Sequence, residues 1–281
     1  MKNSGIPQNQ WWDSTQVAST FAVTAKVVRR ELRSLSDDER SAYIGSLHVL
    51  YTTSDAEGRA RYGDGFVSAN YLIRMHLKGA AATDCDHWHD DAGIVNHHVG
   101  ITWLLEASLR TVDASTAAHY WDYTLDAYEL GSDWDRSFVF GEAWFGSASP
   151  PGDDHAVADS KFAFTKVLAD AGAYSNVTNA YGLLRSPWNA NPVPFLMRSE
   201  TTYGLRGDGY ASFPSCSDFA SILRTSSLAE MLRALNGQLH GPVRVRAESR
   251  PCFEIRFDAS VPERIFEKLS LSPGVGELRG A

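Results

Sequence analysis

Five histidines, His76, His87, His89, His97 and His98, fall within 23 residues of this chain. Neutral imidazole is the commonest protein metal ligand, so this density predicts a metal site, which requires a fold that brings several imidazoles to one point from rigid anchors. The rest of the 281 residues can supply those anchors: 43% are hydrophobic and 11% aromatic, enough to bury a sizeable core in one large domain or two small ones. The formal net charge of −8, with no basic run longer than Arg29-Arg30, argues against a nucleic-acid partner, because phosphates are held by clustered Lys and Arg. Cys85, Cys216 and Cys252 are odd in number and widely spaced, which fits neither a disulfide framework nor a Cys-x-x-Cys zinc site. Residues Met1 to Thr15 are polar, and no stretch reaches the ~18 apolar residues of a membrane span, so neither targeting nor membrane insertion is expected. The localisation stays open. The triplet Asn176-Val177-Thr178 is a glycosylation sequon of a kind that arises often by chance.

The pattern of apolar residues predicts a mainly α protein. Val17, Phe21, Ala25, Val28, Leu32 and Leu35 recur at three- and four-residue steps from Gln16 to Leu35, and the capping box Ser36-x-x-Glu39 then starts a second helix through Tyr43, Ile44, Leu47 and Leu50. A turn over Gly58 to Gly65 leads to a third helix, Phe66 to Leu77, which puts His76 one turn from Leu72 on the apolar stripe. A fourth starts near His97 or His98 and runs through Ile101, Leu104, Leu105, Ser108 and Leu109 to about Arg110, so that its first turn carries the histidines. Four helices with inward histidines suggest a helical-bundle core. From Trp121 to Pro214 the Gly-, Pro-, Ser- and aromatic-rich pattern reads as long irregular loops over that core. A last helix begins at Ser227-x-x-Glu230, runs through Met231, Leu232, Leu235 and Leu239 to His240, and is ended by Gly241-Pro242. Cys252 to Phe257 alternates like a strand.

His89 and His98 stand nine residues apart, Glu106 follows His98 by eight, and His119-Tyr120-Trp121-Asp122 comes soon after. Here the chain resembles the tyrosinase and catechol oxidase family of type-3 copper proteins. Further similarity lies in Arg29 to Ser36, in Phe140-Gly141-Glu142 and in Asn179-Ala180-Tyr181-Gly182, so the resemblance spans roughly Val23 to Val243. It implies a tyrosinase-type bundle over 16–244, between an N-terminal extension of 1–15 and a divergent tail of 245–281. It also implies that His76, His89 and His98 are the ligands of the first copper, copper A, with His119 standing where the family has a proline. Three imidazoles at about 2.0–2.1 Å leave an open face on the ion, and two such ions facing each other can bind dioxygen between them. Asp86, Asp90, Asp91 and Asp122 are the nearby carboxylates that could fix a ligand's tautomer. Cys85 reads as a buried free thiol, although some family members link a cysteine to the second histidine.

The second copper is where the chain departs from the family. His240 matches the first ligand of its His-x-x-x-His motif, but Arg244 stands at the second position, and no histidine follows. A guanidinium keeps its charge and cannot coordinate copper. The resemblance implies oxidation of o-diphenols, with monophenols a further substrate class, to o-quinones by dioxygen; Gly241, where family members that hydroxylate monophenols often have asparagine, leans toward diphenols. The alternative is a truncated or degenerate relative that binds one copper or none without oxidase activity. A zinc hydrolase built on His76, His89 and His98 is a third class, without a His-Glu-x-x-His helix to support it. His87 and His97 are the rival ligands, one register shift away. His48 and His155 read as solvated or packed.

Overall fold

The computed structural model describes residues 27–80, 86–89, 92–152, 155–167, 194–196, 198, 201–202, 205–206 and 212–240. The extension of 1–15, the part of the expected first helix up to Lys26, Cys85, Asp90, Asp91, the sequon, Asn179 to Gly182, and everything from Gly241 onward lie outside them. The described part is mainly helical.

Helix α1, Asp37–Thr52, starts as the sequence predicts. The Ser36 hydroxyl accepts the Glu39 N–H, the Glu39 carboxylate accepts the Ser36 N–H, and Asp37, Asp38 and Glu39 place negative charge at the positive end of the helix dipole. Its buried residues Tyr43, Ile44, Leu47, Leu50 and Tyr51 form one helical stripe, which packs on α3, Ala69–Ala80, and on α4, Gly93–Val112. Between α1 and α3 in the chain, α2, Asp55–Tyr62, is capped by Ser54 and ended by Gly63 at φ 94°, a left-handed conformation that favours glycine. This helix occupies part of the expected turn over Gly58 to Gly65: Gly58 is needed not for a turn but for space, since a Cβ there would lie 2.0 Å from the buried Phe66 ring. Ser68 starts α3 by accepting the Tyr71 N–H. Ser108 of α4 braces the approach to α3, accepting from the Val67 N–H and donating to the Val67 carbonyl. Leu32, Leu50, Phe66, Leu72 and Leu109 are fully buried in the shared core, each such side chain contributing about 1.5–3 kcal/mol.

Residues 27–31 are extended rather than the end of a long first helix, and only Leu32–Ser34 makes a 3-10 turn. Tertiary partners override the helical period here. Tyr120 donates to the Arg30 carbonyl and accepts the Leu32 N–H, forming a parallel bridge between Glu31 and Tyr120, while the Arg30 N–H goes to His119 Nδ1. A helix would have consumed those backbone groups. Next to this bridge α5, Tyr123–Glu129, is capped by Asp122, whose carboxylate accepts from the Thr124 N–H and hydroxyl.

The loop-rich stretch after α5 contains 3-10 turns at Gly131–Arg136 and Phe138–Phe140 and a minimal antiparallel pair, β1 at Thr201–Thr202 and β2 at Leu205–Arg206, in the register Thr201 opposite Arg206. Its anchor is Arg198. This buried guanidinium donates to the carbonyls of Phe145, Gly146 and Ser147 and lies over the Phe140 ring. Helix α6, Cys216–Ile222, precedes α7, Leu228–Ala234, whose start at Ser227 agrees with the sequence; Glu230, however, turns its carboxylate to Ser226 rather than Ser227, so the box is one-sided. The expected continuation to His240 is a π-helical segment, Leu235–His240. Gly237 lies inside it, a residue that weakens an α-helix by about 1 kcal/mol relative to alanine.

Candidate metal centre

Three elements deliver three imidazoles to one place. His76 comes from the buried stripe of α3, His89 from the turn between α3 and α4, and His98 from the second turn of α4, which begins at Gly93, a turn earlier than the sequence pattern indicates. One ligand nitrogen from each lies within 4.8 Å of the others, the rings standing 4.9–5.5 Å apart between centroids. His76 Nε2 and His89 Nε2 approach to 3.1 Å. Two nitrogens bound to one ion at about 2.0–2.1 Å with a near-tetrahedral angle stand about 3.3 Å apart, so this spacing fits a shared cation. Both residues are buried, at 1% and 4% exposure, whereas His98 is half-buried. Among the described residues this is the one grouping of histidine, cysteine, aspartate or glutamate able to hold an ion.

The turn that presents His89 is folded by Asp86. Its Oδ1 accepts the N–H groups of Trp88 and His89, each at 3.1 Å, and its Oδ2 lies 2.6 Å from His89 Nδ1. Burial pushes the Asp86 carboxyl up, but the His89 ring and the two backbone donors together hold it below its ordinary value. Of the four candidate carboxylates, then, Asp86 touches His89, Asp122 caps α5, and Asp90 and Asp91 lie outside the described residues.

The same turn separates His87 and His97 from the three clustered imidazoles. His87 is exposed; His97 is half-buried and turned onto the Trp88 indole, with ring centroids 4.8 Å apart and planes 30° apart. Trp88 is buried and also lies against His76 and His98, walling the group on one side. Its place depends on Gly79 of α3, where a Cβ would fall 1.7 Å from the indole nitrogen.

His240 reaches the same place from the far end of the described chain. Its half-buried ring stacks on His89, with centroids 5.1 Å and planes 28° apart, and meets His98 edge-on at 5.2 Å. Asn236, one turn earlier, offers its carbonyl oxygen to His240 Nδ1 at 3.3 Å. All four sequence-predicted ligands therefore meet, with His240 beside the compact trio rather than in it. Arg244 and Cys85 lie outside the described residues. His119 instead serves the fold by accepting from Arg30, and its pKa falls through burial and the adjacent Arg30 charge; His48 packs edge-on to Phe162. Glu106 of α4 accepts two bonds from the Arg29 guanidinium and one from the Ala118 N–H, tying the helix that carries His98 to the segment before Leu32.

Sequence reasoning missed Trp88, Gly79 and Asn236. Asn236 stands four residues before His240, a spacing that places two side chains on one helix face; Gly79 carries no such mark. Chemically, three imidazoles with the remaining coordination positions open suit copper or zinc, and the carboxylate behind one of them raises its basicity. No family model matches the chain, and no curated protein matches it.

Proposed function

We propose that this chain is a copper-dependent oxidoreductase of the tyrosinase and catechol oxidase type, acting on o-diphenols with dioxygen. The observation that carries the reading is the meeting of His240 with His76, His89 and His98. A zinc hydrolase would need only the three clustered imidazoles and leaves the stacked His240 without a role. His76, His89 and His98 would hold the first ion and His240 would contribute to a second. A copper pair, when bound, supplies dioxygen activation and accepts the electrons of the diphenol. The chain's own residues do the rest: His76 and His89 form a buried floor, Trp88 excludes water from one side, and the half-buried His98 and His240 leave the approach for a phenol ring. A site that excludes bulk water strengthens the interactions that orient its substrate.

The test is dioxygen uptake by the copper-loaded chain in the presence of catechol. Uptake of one dioxygen per two catechols oxidised is expected, with none from the zinc-loaded or metal-free chain. A second reading, one copper without oxidase activity, is favoured by a specific observation: among the described residues the second ion gains a single histidine. Bound copper without uptake would establish that reading in place of the first.

A further inference from the structure

We propose that Asp86 is the positioning residue of this centre: its carboxylate holds His89 in the tautomer with the proton on Nδ1 and so leaves Nε2 as the ligating atom. The inference rests on the reading of His89 as a metal ligand. The two oxygens of Asp86 have separate duties. Oδ1 accepts the N–H groups of Trp88 and His89 and folds the turn, whereas Oδ2 faces His89 Nδ1 at 2.6 Å. At 4% exposure a carboxylate is costly to bury unless donors surround it, and a carboxylate facing an imidazole nitrogen at this distance selects the protonated nitrogen. The opposite ring nitrogen, Nε2, points at His76 Nε2, 3.1 Å away, where the cation would sit. One side chain thus fixes the backbone, the ring orientation and the tautomer before any metal arrives. His240 has a weaker counterpart in Asn236, a neutral acceptor at 3.3 Å.

Asp86→Asn separates the two duties. The amide oxygen can keep the turn by replacing Oδ1, but the amide NH2 then faces His89 Nδ1 as a donor, which drives the ring proton to Nε2 and blocks the ligating atom. Two readouts are taken on the full chain: the nitrogen-15 chemical shifts of His89 in the metal-free protein, and copper affinity by competition with a chelator. The wild type is expected to carry its proton on Nδ1. Asp86→Asn is expected to carry it on Nε2 and to bind copper about 10–100-fold more weakly, with part of the loss recovered in Asp86→Glu. A wild-type His89 protonated on Nε2 would overturn the proposal, as would Asp86→Asn binding copper as tightly as the wild type. If the wild type binds no copper, the oxidase reading fails while the tautomer still decides the role of Asp86. If Asp86→Asn does not fold, the wild-type spectrum decides alone.

Discussion

His89 and His87 differ by two positions, yet they face opposite environments. His89 is buried with both ring nitrogens engaged, one by Asp86 and one by His76, while His87 stands exposed at the surface of the same turn. Removing His89 should therefore cost copper affinity more than the roughly 10–100-fold that loss of a ligand's supporting partner costs, and His87→Ala should leave affinity within about threefold. Chelator competition on the two variants checks this, and equal losses would mean that the ligand has been misplaced. The nine-residue step to His98 and Glu106 eight residues beyond made His89 and His98 legible in the sequence. The choice of Asp86 was not, because four carboxylates lie near the motif in sequence and it is the folded turn that brings Asp86 to Nδ1. Gly79 was illegible for a similar reason, since its role is to make room for a side chain nine residues later.

Elements were most legible where local chemistry decides them. The capping box at Ser36 and the apolar stripe of α1 satisfy the helix by themselves, and α1 forms where they predict. The segment 27–35 has as good a period but better partners elsewhere: Arg29 reaches Glu106, and the backbone pairs with Tyr120. Helix α4 begins a turn early, at Gly93, which lies against the His87 carbonyl where a Cβ would fall 2.3 Å away, a close approach that no periodicity carries. The Arg29–Glu106 pair gives this scale its prediction. Glu106 is held below its ordinary value of 4.5, chiefly by its hydrogen bond from Arg29, with burial opposing and the Ala118 N–H assisting. A depressed carboxyl gives stability that is complete above the unfolded value and is lost as the pH falls through the folded one. Arg29 is 41% exposed, so solvent screening limits the effect, and Glu106→Gln should cost on the order of 1 kcal/mol near neutral pH. Urea unfolding followed from about pH 6 to about pH 3 should show the wild type losing this advantage until the two curves converge in acid. Curves that stay parallel would mean the pair contributes no pH-dependent stability.

At the scale of the molecule, the centre is assembled from positions as far apart as 76 and 240, carried by α3, one turn, α4 and a π-helical segment. Only a core that fixes these elements against one another can hold the imidazoles close in advance: α1 packs on both α3 and α4, and the π-helical segment packs on α6 and α7. The mainly helical class followed from the sequence because helical period is local; the arrival of His240 did not, since a break in the last helix changes where its end points. That arrival is the basis for a second ion. The most direct test is the number of copper ions retained per chain after reconstitution and exhaustive dialysis, for the wild type and for His240→Ala. Two ions in the wild type, falling to one in His240→Ala, is the predicted result. A wild-type chain that retains one copper, or none, would contradict it.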